Sequence, residues 1–157
     1  TLGADALGVL AGRYKRAWLF DGTAREVERA YELYSRGLKE SEANENPEQV
    51  FYHAINLAFL ELVHFKRRGA NKRFADQALA ACEQAEPKDF WNHATQGEAR
   101  LYLGDVNGAA SAYRAGLRLK PKPRQIESAQ TQAMLAAERA LRERPRALTR
   151  VFEQAGI

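Results

Sequence analysis

An all-α fold is what the sequence predicts, and three observations carry that prediction. Apolar residues recur at three- and four-residue spacing in run after run, no stretch alternates with period two over a useful length, and each run closes on Gly, Pro or a polar turn. With 157 residues, 45% of them hydrophobic and 28% charged, the chain has enough apolar surface for one globular domain.

Ala6, Leu7, Leu10, Tyr14, Ala17 and Trp18 make one helical stripe, stopped by Asp21-Gly22. Val27, Ala30, Tyr31, Tyr34 and Leu38 make the second, broken by the polar stretch SEANENPEQ from Ser41 to Gln49, in which Pro47 suits the first turn of another helix. The third helix runs from Val50 to about Arg68. Phe51, Ile55, Ala58, Leu62 and Phe65 form one stripe and Tyr52, Phe59 and Val63 a second, and Gly69 is expected to end it. Phe74, Ala75, Ala78, Leu79, Ala81 and Cys82 mark a fourth helix, closed by Pro87. A fifth spans Phe90 to Leu103, closed by Gly104-Asp105, and a sixth Val106 to Leu119, closed by Lys120-Pro121. A seventh follows from about Arg124 to Arg142, and a short tail from Ala147 to Gln154 comes after Pro145.

An internal echo joins these helices. AYELYSRGL, from Ala30 to Leu38, and AASAYRAGL, from Ala109 to Leu117, share Ala, Tyr, Gly and Leu at equal offsets, and Ala75, Leu79 and Cys82 form a fainter copy. Ala75 and Ala109 stand 34 residues apart, and the series Gly97, Gly104, Ala109, Tyr113, Gly116, Leu117, Pro121 resembles the tetratricopeptide pattern. Small residues let paired helices approach, the tyrosine fills the gap to the next pair, and proline ends the helix. The resemblance implies a tetratricopeptide-like superhelix of about three hairpins, at 2–40, 48–86 and 88–120, with a capping helix at 124–142 over the last apolar edge and a tail at 147–154.

A narrower resemblance rests on LAGRYKRAWLFDG (Leu10–Gly22), ERAYELYSRGLKES (Glu28–Ser41) and HAINLAFLEL (His53–Leu62). These are similar to the region called the TRAF-binding domain of apoptosis-signal-regulating kinases and of many bacterial proteins. That likeness implies a scaffold that contacts a protein partner or a neighbouring domain and catalyses nothing, within a larger signalling, stress-response or defence protein. The chain opens on Thr within a helical pattern, which fits a piece of a longer polypeptide.

Catalysis and metal binding find little support. His53 and His64 lie three helical turns apart, roughly 16 Å, too far to share an ion, and His93 lacks a ligand-spaced neighbour. Cys82 is expected to be buried and inert, a disulfide framework is excluded by its being the one cysteine, and a cytoplasmic setting is expected. There is no phosphate-cradling Gly-rich loop, no apolar run long enough to span a bilayer, and no cofactor is expected.

If the repeat reading holds, binding belongs on the concave face made by the first helix of each hairpin. Arg13 and Arg16 take that face in unit one, Tyr52, Asn56 and Phe59 in unit two, and Trp91, Thr95, Glu98 and Tyr102 in unit three. Asn56 could fix a peptide backbone and Trp91 could anchor a side chain, although Trp91 and Phe59 could equally pack between units. A chaperone-type carboxylate clamp is not expected, because Trp91 and Thr95 stand where its cations would be.

The alternative is a basic surface for nucleic acid or an anionic membrane. The formal charge is +4, and the excess sits in residues 101–157. Lys66, Arg67, Arg68, Lys72 and Arg73 crowd one turn, and Arg114, Arg118, Lys120, Lys122 and Arg124 follow without an acid. Nucleic-acid binding is the weaker expectation, since both clusters fall near helix C-termini, where cations stabilise exposed carbonyls, and the second has no interleaved aromatics.

Overall fold

The computed structural model describes residues 2–156. Among them are eight helices and no strand: α1 Ala4–Asp21, α2 Ala24–Ala43, α3 Pro47–Val63, α4 Arg68–Gln84, α5 Phe90–Tyr102, α6 Val106–Leu117, α7 Pro123–Leu141 and α8 Arg146–Gln154. Local chemistry sets several of the boundaries. Asn46, Asp89 and Asp105 each cap a helix by accepting a hydrogen bond from the backbone N–H three residues on, at 3.2, 2.8 and 2.9 Å. Pro47 occupies the first turn of α3, where its missing N–H costs nothing.

α1 pairs with α2, α3 with α4 and α5 with α6, and successive pairs stack so that α2 touches α3 and α4 touches α5. The echoed alanines lie at the closest approaches: Ala30, Ala75 and Ala109 are each fully buried. Tyr34 and Tyr113 fill the gaps between pairs. The Tyr34 ring sits edge-on to Tyr52 and His53, and Tyr113 lies 5.3 Å from the ring of Phe152 in α8. Gly37 leaves room for the His53 ring and Gly97 for Tyr113, both of which a Cβ would invade.

Two boundaries differ from expectation. α3 ends at Val63 rather than near Arg68, and Gly69 lies inside α4 instead of terminating α3. Lys66 makes the turn, with a left-handed φ of 59° and its ammonium donating to the Val63 carbonyl at 2.7 Å. Arg67 then closes on the buried Glu61 through two hydrogen bonds of 2.6 and 2.9 Å, and Tyr31 of α2 donates to the same carboxylate at 2.5 Å. α4 accordingly starts about a turn and a half before Phe74.

α7 packs on α5 and reaches α3, while α8 packs on α6. Ala129, Ala133, Ala136 and Ala137 give α7 a small, fully covered face that lets it close on α5, and Leu148, Val151 and Phe152 seat α8. The two extend the stack by one further layer without packing on each other as the three hairpins do.

Candidate binding groove

The first helices of successive layers, α1, α3, α5 and α7, share an open groove of about 840 Å³. It follows residues 12–19 of α1, 48–56 of α3, 89–98 of α5 and 124–132 of α7. Trp91, 41% exposed, and Tyr52, 36% exposed, present aromatic surface on its walls, joined by Leu19 and Ile55.

A polar couple forms the floor. Lys15 donates from Nζ to Asn56 Oδ1 at 2.8 Å and sits 4.4 Å from the centre of the Phe59 ring. Glu98, 8% exposed, accepts from Tyr102 Oη at 2.6 Å and from Gln132 Nε2 at 2.8 Å, both on Oε1. Burial pushes the Glu98 carboxyl above its ordinary range, opposed by the Lys15 charge and the two donors. Burial lowers Lys15, and the Glu98 charge partly restores it. Burial, with the Glu98 charge added, holds the hydroxyls of Tyr102 and Tyr113 well above the phenolic range, so both stay neutral.

Six of the nine expected groove residues, Arg16, Tyr52, Asn56, Trp91, Thr95 and Glu98, line it, and three do not. Phe59 is fully buried between α1 and α3, under Lys15 and edge-on to Trp18. Tyr102 is buried at the end of α5 and acts through Glu98. Arg13 is exposed but lies outside the lining. The groove is shorter than the helices, since its lining stops at Asn56 on α3 and at Glu98 on α5. Asn56 is engaged on both amide atoms, its Oδ1 accepting from Lys15 and its Nδ2 donating to the Tyr52 carbonyl at 2.8 Å, with one N–H and one lone pair left over.

Lys15 and the α7 wall, Glu127, Ser128, Thr131 and Gln132, were not among the expected residues. A signal for the wall exists in the sequence: Pro87 and Pro121 stand 34 residues apart, the spacing of Ala75 and Ala109, which marks α7 as a fourth first-helix. Glu98 and Gln132 are separated by that same period and hydrogen-bond to each other across adjacent layers.

The residues of the two basic clusters have differing surroundings. Lys66 and Arg67 are engaged at the α3–α4 turn, and Arg68 donates to the Ala140 carbonyl at 3.2 Å, tying α4 to the end of α7. Arg73 rests by Phe74 and Lys72 is exposed. Arg114, Arg118, Lys120 and Lys122 are exposed around the α6–α7 turn, and Arg124, also exposed, is part of the groove lining. His53 and His64 pack against neighbours, His53 on the Ala4 carbonyl and His64 edge-on to Trp18. Among the described residues no group of three or more His, Cys, Asp or Glu is placed to hold a metal ion, and no helix is long and apolar enough to cross a membrane.

Comparison with known proteins adds one match. The sequence model of the family described as Tetratricopeptide Repeats-Sensor matches residues 2–61, which covers α1, α2 and most of α3. No curated protein and no solved structure matches the chain. Paired helices, small residues at their crossings and this match agree: the fold is a tetratricopeptide-like helical repeat, a type that generally mediates contacts between proteins.

Proposed function

We propose that this chain is a non-catalytic interaction or regulatory module that holds a peptide, or a segment of a neighbouring domain of the same polypeptide, in the groove of α1, α3, α5 and α7. The observation that carries this reading is the exposure of Trp91 and Tyr52 in the lining of a groove built by four helices. Large aromatic side chains with few rotors are favourable anchors, and a solenoid spends surface on them where a ligand covers them. The likeness to the TRAF-binding region of signalling kinases points the same way, to a regulatory segment of a larger signalling, stress-response or defence protein. We place its work in the cytoplasm, in keeping with a single buried thiol.

The test is selection of short displayed random peptides on the immobilised protein, followed by affinity measurements against variants. Trp91→Ala and Tyr52→Ala should each weaken the selected peptides by about tenfold or more, and Arg118→Glu should not. Peptides that ignore the aromatic pair and follow Arg118 and Lys122 would shift function to the basic surface.

A further inference from the structure

We propose that the partner segment enters this groove with a basic side chain, arginine or lysine, which passes Trp91 and pairs with Glu98 at the floor. The proposal rests on the groove being the binding site and adds the chemistry of its occupant.

Glu98 is a nearly buried carboxylate on the groove lining, and none of the ion pairs among the described residues includes it. Its two protein donors, Tyr102 and Gln132, are neutral and both address Oε1. The one cation close enough to act on it, Lys15, points its ammonium at Asn56 and the Phe59 ring. A buried carboxylate without a direct counter-charge is stabilised most by a donor that is itself charged.

Two more features favour a cation. Trp91, Thr95 and Glu98 recur at i, i+4 and i+7 on α5, so the exposed indole and the carboxylate share one face of the helix, two turns apart. An indole attracts a guanidinium or ammonium through its ring quadrupole. The lining acids Glu48, Asp89, Glu98 and Glu127 also outnumber the cations Lys15, Arg16 and Arg124, although the chain as a whole carries a charge of +4. The groove lining thus lacks the positive excess that the chain carries elsewhere, which gives a phosphate backbone no favoured place there.

The peptides selected as above provide the probe. Those that depend on Trp91 should carry an arginine or lysine, and replacing an arginine by citrulline, which keeps its shape without its charge, should weaken binding to the wild-type protein by about tenfold or more. Glu98→Gln should give a similar loss and should abolish the difference between arginine and citrulline peptides. The citrulline comparison leaves the protein untouched, so it decides the matter even if Glu98→Gln folds poorly. Peptides that need Trp91 and Tyr52 but bind equally well with citrulline would overturn this inference while leaving the groove in place. Displacement of the peptides by single-stranded DNA through the groove would overturn it as well.

Discussion

A Cβ built on Gly97 falls 2.5 Å from Cε2 of Tyr113, so the α5–α6 crossing has room for hydrogen and nothing more. Gly97→Ala gains up to about 1 kcal/mol of helix propensity but forces a fully packed tyrosine to move, an overpacking cost of about 1–3 kcal/mol. The net effect expected is destabilisation. Gly69, with no atom within 4 Å of its added Cβ and a place in the first turn of α4, is the opposite case, and Gly69→Ala should stabilise by about 0.5–1 kcal/mol. Urea midpoints of the two variants should move in opposite directions, and a shared rise would refute the packing account.

That crossing also shows why the fold was readable from sequence. Ala30, Ala75 and Ala109 repeat, as do Tyr34 with Tyr113 and Gly37 with Gly116, because each helix pair solves the same contact problem with the same small-and-large set. The end of α3 was not readable, because Glu61 is fixed by Tyr31, thirty residues away in α2, and its grip on Arg67 moves the turn ahead of Gly69. In the groove, Trp91, Thr95 and Glu98 follow from helical period alone. Lys15 and Gln132 do not, since they belong to other helices and meet Asn56 and Glu98 only through stacking. Phe59 sits on the helical face of Tyr52 but falls where α1 covers α3, a boundary that no period within one helix encodes.

Tyr31→Phe removes one donor from a carboxylate that is 2% exposed and leaves Arg67 to hold it alone. A hydrogen bond to a charged acceptor with one partly buried partner contributes about 1–2 kcal/mol. Loss of that amount in denaturant unfolding is expected, and the loss should shrink in a Glu61→Gln background. Equal losses in both backgrounds would mean that the hydroxyl acts elsewhere.

Cys82 is fully buried, its sulfur directed to the Asn92 carbonyl at 3.7 Å, and burial pushes its thiol up to about 12. At pH 8 the thiolate fraction in the folded state is then on the order of one in ten thousand. A disulfide reagent should label the native protein at least about a hundredfold more slowly than the denatured chain, at a rate that follows opening of the fold. Immediate labelling of native protein would place the thiol at the surface.

His53 is buried where α1, α2 and α3 meet and donates from Nε2 to the Ala4 carbonyl at 3.0 Å, while Nδ1 has no partner. Burial lowers its pKa to about 4, against the smaller upward pulls of the Ala4 carbonyl and of Asp5. The unfolded histidine titrates near 6.5, so between about pH 4 and 6.5 the unfolded chain binds more protons than the folded one. Stability must therefore rise with pH across that window, by roughly 3 kcal/mol at full span, and level off above it. His53→Gln can keep the bond to Ala4 without titrating, so the wild type should lose stability relative to this variant as the pH falls from 6.5 to 4. The difference between the two urea midpoints, followed over pH, isolates the histidine from the carboxylates that titrate nearby. A difference that stays constant over the window would show that His53 protonates as readily folded as unfolded.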